Sequence, residues 1–318
     1  MDGEESGKGE DTAHWFDVSS CGGFANMACG VFREGGSVAV ADVAKKVDDE
    51  RLERILPDAL RAIHGVIERH GVTEEEWMAV LGFLTEVGKQ DEFVLLSDVT
   101  KTSVLVDAIS HRGESGVTPS DVEGPLYRED PPWREKPVKI YEEYEGVENG
   151  DVLFVYGTVT SSDGTPLSGA ILDIWQTGPD GGYDLWDERQ PDFNFRGRFG
   201  VDEDGGYEFR TMVPKPYTVP TNGPVGRYLE ATGQHPWRPA HIHFKVGAEE
   251  HEPLITQVFF PDDPYLDNDT IGAVKTDLVR PLTRHEDEEE LAQRGLDAPF
   301  YTCEFDIMLK PAMSAARA

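Results

Sequence analysis

The stretch Arg238-Pro239-Ala240-His241-Ile242-His243-Phe244-Lys245-Val246 decides how the whole chain is interpreted. Polar and apolar residues alternate from position 241 to position 246, which predicts a strand with one apolar face. The alternation places His241 and His243 on the same face, about 7 Å apart along the strand, a spacing at which both can bind one metal ion. Pro239 stiffens the entry to the strand, and Arg238 adds a cation beside the predicted site. A His-x-His pair alone also fits an exposed strand without a metal, so the hypothesis depends on residues elsewhere.

Two tyrosines in turn-rich segments upstream are candidate oxygen ligands. Tyr183 lies in Gly181-Gly182-Tyr183-Asp184, and Tyr217 lies in Pro214-Lys215-Pro216-Tyr217. Imidazole nitrogen suits several transition metals, whereas an anionic oxygen ligand favours a hard, highly charged ion. Each tyrosine alone is equally well explained by ordinary packing within a loop.

Composition limits the partners of the chain. Its 318 residues carry a formal net charge of −32, which argues against nucleic acid or an anionic membrane as a binding partner. No apolar run reaches membrane-spanning length, and the acidic first residues are the opposite of a signal peptide. Cys21, Cys29 and Cys303 are too scattered for a disulfide framework. We therefore expect a protein of the reducing cytoplasm.

Periodicity divides the chain into three parts. Residues 1–47 have no sustained period and predict an irregular N-terminal extension. Residues 48–110 have helical periodicity, and residues 111–318 predict a two-sheet β-sandwich, so the fold class is mainly β with an N-terminal helical domain. Short apolar-alternating runs between Gly- and Pro-rich turns predict six strands, at 152–159, 170–175, 206–212, 241–246, 254–260 and 303–309.

Three helices are predicted in the helical part. The first spans residues 49–70, and Pro57 within it indicates either a kink or a start near Leu56. Thr73-Glu74-Glu75-Glu76 is typical of a capping box that opens a second helix ending at Val87. A third helix is expected from about residue 97 to residue 109. The apolar faces of these helices predict core packing or a subunit contact rather than a cofactor site.

Other candidate chemistries have little support in the sequence. It contains no dinucleotide- or phosphate-binding glycine loop, no nucleophile elbow and no C-x-x-C pair. The carboxylate clusters Asp262-Asp263 and Asp267-Asn268-Asp269 are interpreted as solvated faces, because such clusters are common in so acidic a chain. His235 is expected to pack or hydrogen-bond locally.

Several motifs in sequence order give the chain a family resemblance. Tyr183 is followed by Pro-Lys-Pro-Tyr at 214–217, Gly-Pro-Val-Gly at 223–226 and His-Pro-Trp-Arg-Pro-Ala-His-Ile-His-Phe at 235–244. Further parts of the pattern lie at 76–78, 93–98, 169–176 and 190–199. Over roughly residues 48–310, the chain resembles the intradiol ring-cleaving dioxygenases.

The resemblance implies a non-haem Fe(III) enzyme that opens a catecholic ring with O₂ between its two hydroxylated carbons. One ferric ion per chain is then held by Tyr183, Tyr217, His241 and His243. The pKa of a tyrosine is normally near 10, and a trivalent cation favours the phenolate strongly enough to overcome that barrier. The donor set is therefore chemically consistent with the implied ion.

The resemblance also assigns roles around the metal. Tyr217 is expected to accept a proton from the diol, Arg238 to stabilise charge that develops on the ring, and Gln257 to polarise the reacting oxygen. The alternative for Arg238 is a plain surface ion pair. The implied substrate pocket consists of Leu95, Asp98, Val122, Gly124, Pro125, Leu126, Val219 and Pro220.

The sequence gives mixed signals about the substrate. Leu95 and Asp98 resemble hydroxyquinol 1,2-dioxygenases, whose substrate has a third ring hydroxyl to which a carboxylate can hydrogen-bond. Val122-Glu123-Gly124-Pro125-Leu126-Tyr127 is closer to catechol 1,2-dioxygenases. Hydroxyquinol is the prediction, catechol or chlorocatechol is the alternative, and a non-catalytic β-sandwich binding module is the remote one.

The resemblance further implies a homodimer formed through the helical domain, with room for bound lipid at the contact. The apolar faces of the first two predicted helices fit that contact and fit packing on the sandwich equally well.

Overall fold

Helices open the described part of the chain. The structure is a computed structural model that describes residues 49–145, 147 and 150–312, so the extension predicted at residues 1–47 lies outside the described residues. The first four helices are α1 (Asp49–His70), α2 (Glu74–Lys89), α3 (Phe93–Val99) and α4 (Thr102–Ser110). Among the described helices, none is both long enough and apolar enough to cross a membrane.

The first two helices follow the sequence closely. The capping box of α2 is confirmed, because the Glu76 amide donates to Thr73 Oγ1 at 3.2 Å and the Thr73 amide donates to Glu76 Oε2 at 2.8 Å. These bonds satisfy donors that a helix N-terminus leaves free. The bounds of α1 are also confirmed, with Pro57 inside the helix, so the alternative start near Leu56 is wrong.

The single third helix predicted at residues 97–109 is wrong. The chain forms α3 and α4 instead, and they are separated at Lys101, where φ is 60° and the backbone is left-handed. A residue in that conformation interrupts a right-handed helix. The hydroxyl oxygens of Ser97 and Ser103, 2.8 Å apart, join the two helices across the break.

Two β-sheets form most of the remaining fold, which confirms the sandwich. The strands are β1 (Val138–Lys139), β2 (Val152–Ser161), β3 (Ile171–Gln176), β4 (Arg196–Gly200), β5 (Gly206–Met212), β6 (Tyr217–Thr218), β7 (Trp237–Arg238), β8 (His241–Gly247), β9 (Leu254–Phe259), β10 (Thr283–His285), β11 (Phe300–Glu304) and β12 (Ile307–Leu309). The larger sheet has the order β1-β5-β2-β11-β10 with β12 beside β2, the second has the order β4-β3-β8-β9, and β6 pairs with β7. Two further helices are α5 (Pro224–Thr232) and α6 (Glu288–Arg294).

The strand predicted at residues 303–309 is the one that the structure divides. β11 and β12 both pair with β2, but Phe305 and Asp306 lie between them. The Asp306 carboxylate accepts the Thr158 amide at 2.8 Å and so replaces a backbone bond of the ladder. Because Gly157 has no side chain, the Phe305 carbonyl can approach the backbone of β2 closely.

The apolar face of β8 packs into the core between the sheets. Phe244 is fully buried, and its ring centroid lies 6.1 Å from that of Phe209 on β5 of the larger sheet. Burying one such ring contributes roughly 1.5–3 kcal/mol to stability. The opposite face of β8 carries His241 and His243, which are also buried. The described residues from Asp49 onward form one compact unit, and the domain boundary proposed near residue 110 stays a prediction.

Candidate metal centre and substrate pocket

The four predicted ligands lie together in the structure. Tyr183 follows β3, Tyr217 begins β6, and His241 and His243 lie on β8; all four side chains are buried. The ring centroids are 5.3 Å apart for Tyr183 and Tyr217, 5.7 Å for Tyr217 and His241, and 4.7 Å for the two histidines. Three separate segments of the sequence therefore contribute to one buried cluster.

Burial prepares both imidazoles for metal binding, and a hydrogen bond also fixes the tautomer of His241. His241 Nδ1 lies 2.7 Å from the Pro239 carbonyl, so Nδ1 carries the proton and Nε2 keeps its lone pair. The Nε2 atoms of His241 and His243 are 3.1 Å apart. Burial, followed by positive charge nearby that includes Arg238, lowers the pKa of both rings well below the usual value. Neutral imidazole is the form that binds metal ions.

Neighbouring strands fix the orientation of His243. Trp175 on β3 and Gln257 on β9 both lie directly opposite His243 in the sheet register. The indole of Trp175 stacks on the imidazole with ring centroids 4.5 Å apart and planes 6° from parallel. Cross-strand contacts of this kind hold a side chain in one rotamer. The row Trp175–His243–Gln257 is therefore part of the site.

The hydroxyl group of Tyr183 supports the presence of a bound cation in the cluster. Within the described chain, the Tyr183 hydroxyl is buried without a hydrogen-bond partner. Burial, and then the proximity of Tyr217, raises its pKa well above the usual value. Leaving a buried polar atom unpaired costs about 1–3 kcal/mol, so such an atom requires a specific explanation. A bound cation is one, because it supplies a partner and favours the phenolate.

Competing metal sites are not found in the described residues. Nowhere in residues 49–145, 147 and 150–312 do three or more His, Cys, Asp or Glu side chains form a group that could hold a metal ion. Cys303 is buried without a disulfide, and burial raises the pKa of its thiol to about 12. The tyrosine-histidine cluster is accordingly the candidate metal centre.

Arg238 lies at the centre of a buried hydrogen-bond network. It lies opposite Tyr217 in the β6–β7 pair, and its Nη1 is 3.1 Å from His241 Nε2. Its Nη2 donates to Gln257 Oε1 at 3.0 Å, and its Nε donates to Asp269 Oδ1 at 3.2 Å. The side chain is 3% exposed, so the alternative of a surface ion pair is wrong.

Asp269 is a residue that sequence reasoning missed. The interpretation of Asp267-Asn268-Asp269 as a solvated face is wrong for Asp269, which is buried against Arg238. Asp263 also has a structural contact, because it accepts the Ala240 amide at 2.9 Å. The available signal was the apolar stretch that begins two residues after Asp269, at Ile271, since an acidic residue at the start of a buried segment has to be paired.

A second missed pair anchors the segment that carries Tyr183. The buried Asp184 carboxylate accepts Arg196 Nε at 2.7 Å, and Arg196 Nη1 donates to the Leu126 carbonyl at 2.7 Å. β4, which carries Arg196, was not predicted as a strand. The contact joins the Tyr183 segment to the loop that contains Leu126. His235 has the local role expected of it, because its Nδ1 accepts the Trp237 amide at 3.1 Å.

A narrow pocket lies beside Tyr217 and His243. Most residues predicted for the substrate pocket line it, namely Leu95, Asp98, Gly124, Pro125, Leu126, Val219 and Pro220. Glu123 and Ile271 line it as well and were not predicted. Val122 differs from the prediction, because its side chain packs in the core and its carbonyl accepts Gln257 Nε2 at 3.0 Å.

Comparisons with known proteins agree with this geometry. Residues 122–311 match the family model "Dioxygenase", and residues 49–118 match "Catechol dioxygenase N terminus". The hydroxyquinol 1,2-dioxygenase of Rhizobium sp. (strain MTP-10005) is 41% identical over 82% of this chain and 90% of that protein. The chain therefore belongs to the intradiol ring-cleavage dioxygenase family, and it is an enzyme rather than a non-catalytic binding module.

Solved structures show the same fold. The catechol 1,2-dioxygenase of Acinetobacter radioresistens superposes with a TM-score of 0.77 at 31% identity, covering 87% of this chain and 91% of that chain. The hydroxyquinol 1,2-dioxygenase of Pseudomonas putida DLL-E4 has a TM-score of 0.73 at 36% identity, covering 85% and 95%. Both neighbours extend over the helices as well as the sandwich.

Proposed function

We propose that this enzyme cleaves hydroxyquinol, 1,2,4-trihydroxybenzene, with O₂ between two adjacent hydroxylated carbons, giving 3-hydroxy-cis,cis-muconate or its tautomer maleylacetate. The observation that carries the proposal is the buried cluster of two tyrosines and two histidines next to a pocket that contains Asp98. The names of the relatives at 41% and 36% identity support the same substrate.

One non-haem ferric ion per chain, held by Tyr183, Tyr217, His241 and His243, is part of the proposal. The donor set fits this ion, because two phenolates cancel two of its three charges and the imidazoles add neutral nitrogen ligands. When bound, the ion acts as a Lewis acid that activates the diol for attack by O₂.

The two tyrosines have different surroundings, and this supports different roles. Tyr217 lines the substrate pocket, whereas Tyr183 does not. Burial raises the pKa of Tyr217, and the positive charge of Arg238 opposes that shift. We therefore assign the Tyr217 phenolate oxygen as the acceptor of a proton from the diol.

Arg238 is proposed to stabilise negative charge that develops on the ring. Its guanidinium lines the pocket and is buried, where a fixed cation acts more strongly than in water. Both polar groups of Gln257 are engaged, Oε1 by Arg238 and Nε2 by the Val122 carbonyl. Gln257 is therefore proposed to act on the reacting oxygen indirectly, by orienting Arg238.

Asp98 supports hydroxyquinol over an unsubstituted catechol. Its side chain is buried in the pocket near Leu95, and burial raises the pKa of its carboxyl, which a hydrogen bond from Ser103 and the charge of Arg238 oppose. A third ring hydroxyl offers this carboxyl a partner. Catechol lacks that hydroxyl and cannot supply this additional hydrogen bond.

Catechol or chlorocatechol is the second candidate substrate. The segment Val122-Glu123-Gly124-Pro125-Leu126-Tyr127 supports it, since four of these residues line the pocket. The catechol 1,2-dioxygenase neighbour with a TM-score of 0.77 supports it as well.

A homodimer formed through the helical part is also proposed. Apolar side chains on α1 and α2 are exposed in the single chain, among them Ile55, Leu60, Ile63, Trp77 and Met78. An apolar surface of this kind is suited to a second copy of the chain, with bound lipid as a further option.

The first prediction concerns metal content and product. Purified protein is expected to contain about one iron per chain, to be coloured by tyrosinate-to-iron charge transfer, and to take up O₂ with hydroxyquinol. The product is expected to be a dicarboxylic muconate type without a yellow semialdehyde. Metal analysis, visible absorption and mass spectrometry of the product measure these properties. A colourless zinc protein, or a semialdehyde product, contradicts the proposed function.

The second prediction concerns Asp98. The wild-type enzyme should prefer hydroxyquinol to catechol in kcat/KM by at least about tenfold, because a hydrogen bond to a charged group contributes roughly 1.5–3 kcal/mol. Asp98→Ala should lower kcat/KM for hydroxyquinol and spare or improve it for catechol, with iron and colour retained. Steady-state O₂ uptake on both substrates measures the ratio.

A matched control for Asp98 is available on the next helix. Asp107 on α4 is another partly buried carboxylate, paired with Lys275 outside the pocket. Asp107→Ala should change kcat/KM for both substrates by the same factor. If Asp98→Ala also lowers both values equally while iron is retained, Asp98 is structural and catechol becomes the better candidate.

A further inference from the structure

Asp269 makes four polar contacts in the protein interior beside the candidate metal centre. Its Oδ1 accepts Arg238 Nε at 3.2 Å and the Ile271 amide at 3.4 Å. Its Oδ2 accepts the Ala273 amide at 3.0 Å and Arg238 Nη2 at 3.4 Å. The side chain is 1% exposed. One carboxylate therefore joins the guanidinium of Arg238 to the loop of Ile271, which lines the substrate pocket.

Gln257 holds the same guanidinium from another direction. Its Oε1 accepts Arg238 Nη2 at 3.0 Å, so Nη2 and Nε are both engaged by the protein. Nη1 is the nitrogen that faces the cluster, 3.1 Å from His241 Nε2. The guanidinium can make these contacts at the same time because it is planar and its five N–H groups have fixed relative directions. If Asp269 is removed, Arg238 Nε loses its partner and the buried guanidinium loses the carboxylate with which it is paired.

We propose that Asp269 is a positioning residue of the ring-cleavage reaction, which it serves by fixing the direction of the Arg238 guanidinium and, through the amides of Ile271 and Ala273, the adjoining pocket wall. The proposal rests on the proposed function, because the proposed function gives Arg238 the role of stabilising charge on the ring. A carboxylate that acts through Arg238 should affect turnover more than substrate binding. A carboxylate that only caps its loop should affect stability and pocket shape whether or not Arg238 is present.

A double-mutant cycle separates the two roles. Asp269→Asn is expected to lower kcat by about 10–100-fold, while iron content is retained and the anaerobic Kd for hydroxyquinol, read from the visible band, changes by less than about threefold. Arg238→Leu removes the group through which Asp269 acts. In that background, Asp269→Asn should change kcat/KM by no more than about twofold, which is the usual scatter of independent effects. An equal loss in both backgrounds overturns the proposal.

Asp173 provides the matched control. Its side chain is 8% exposed and is paired with Arg198 at 2.6 and 2.8 Å, away from the residues that line the substrate pocket. Asp173→Asn should have the same small effect on kcat/KM with and without Arg238. A coupling between Asp269 and Arg238 is then specific to that pair. Equal coupling to Asp173 contradicts the proposal.

If the Asp269→Asn variant does not fold, a second test is available. The double variant Asp269→Leu/Arg238→Leu removes both charges, and replacing a buried ion pair by apolar residues is often neutral for stability. It should fold, bind iron and match the kcat/KM of Arg238→Leu within about twofold; a lower value overturns the proposal. A wild-type protein without iron and ring cleavage refutes the proposed function and this inference together. An additive cycle in an active enzyme refutes this inference alone.

Discussion

Tyr183→Phe is expected to yield a colourless protein without ring-cleavage activity, with kcat reduced by at least about 10³-fold. The substitution removes an anionic oxygen from the cluster, so the protein would compensate only one of the three positive charges of a ferric ion in a buried site instead of two. Because the phenol hydroxyl has no hydrogen-bond partner among the described residues, its loss should not destabilise the fold by breaking a protein contact. Metal analysis, visible absorption and O₂ uptake measure the effect.

Tyr207→Phe is the matched control for Tyr183→Phe. Tyr207 is also a buried tyrosine whose pKa burial raises well above the usual value, but its hydroxyl donates to the Phe305 carbonyl in the core. Its loss should cost about 1–3 kcal/mol of stability, because a buried carbonyl loses its partner, while iron and activity persist. Tyr183→Phe protein with wild-type iron content and activity removes Tyr183 from the proposed ligand set.

Arg238→Lys is expected to lower kcat by about 10²-fold with iron and colour retained. Lysine keeps the positive charge, but a single ammonium cannot reach Asp269 and Gln257 while also facing His241. The variant therefore tests whether direction as well as charge is required. Steady-state kinetics with hydroxyquinol, together with the visible spectrum, separate a turnover defect from loss of the metal.

Arg198→Lys is the control for Arg238→Lys. Arg198 forms a comparable ion pair with Asp173 outside the substrate pocket. Its substitution should change kcat by less than about twofold. If Arg238→Lys keeps the wild-type kcat, the reaction requires only the positive charge of Arg238 and not the geometry of its guanidinium.

Only part of the candidate metal cluster could be predicted from local spacing, because Tyr183 and Tyr217 lie 58 and 24 residues before His241 and were assigned to the same metal by the family resemblance. The alternation around His241 and His243 predicted a strand, and the structure places both imidazoles on one face with Tyr183 and Tyr217 beside them. Asp269 could not be recognised in the same way. Whether an acidic residue is solvated or buried depends on packing against distant segments, here Arg238 on β7, which a local charge run does not reveal.

The fold could be predicted where a local pattern determines an element. The capping box at Thr73 fixed the start of α2, and alternation located β5 and β8. The break at Lys101 could not be predicted, because a left-handed conformation at a lysine is imposed by the tertiary structure. β4 was missed for a related reason, since Arg196 and Arg198 suggest an exposed segment but form buried or half-buried pairs with Asp184 and Asp173.

The row Trp175–His243–Gln257 and the walls of the substrate pocket belong to different parts of the fold. Sequence changes can therefore alter one without altering the other. The row depends on strand register, and a one-residue insertion in β3 or β9 turns every side chain of that strand to the opposite face. The pocket walls at 123–126, at 219–220 and at Ile271 lie outside these strands. Loop divergence can therefore change which ring fits the pocket while the strand register that orients His243 is kept.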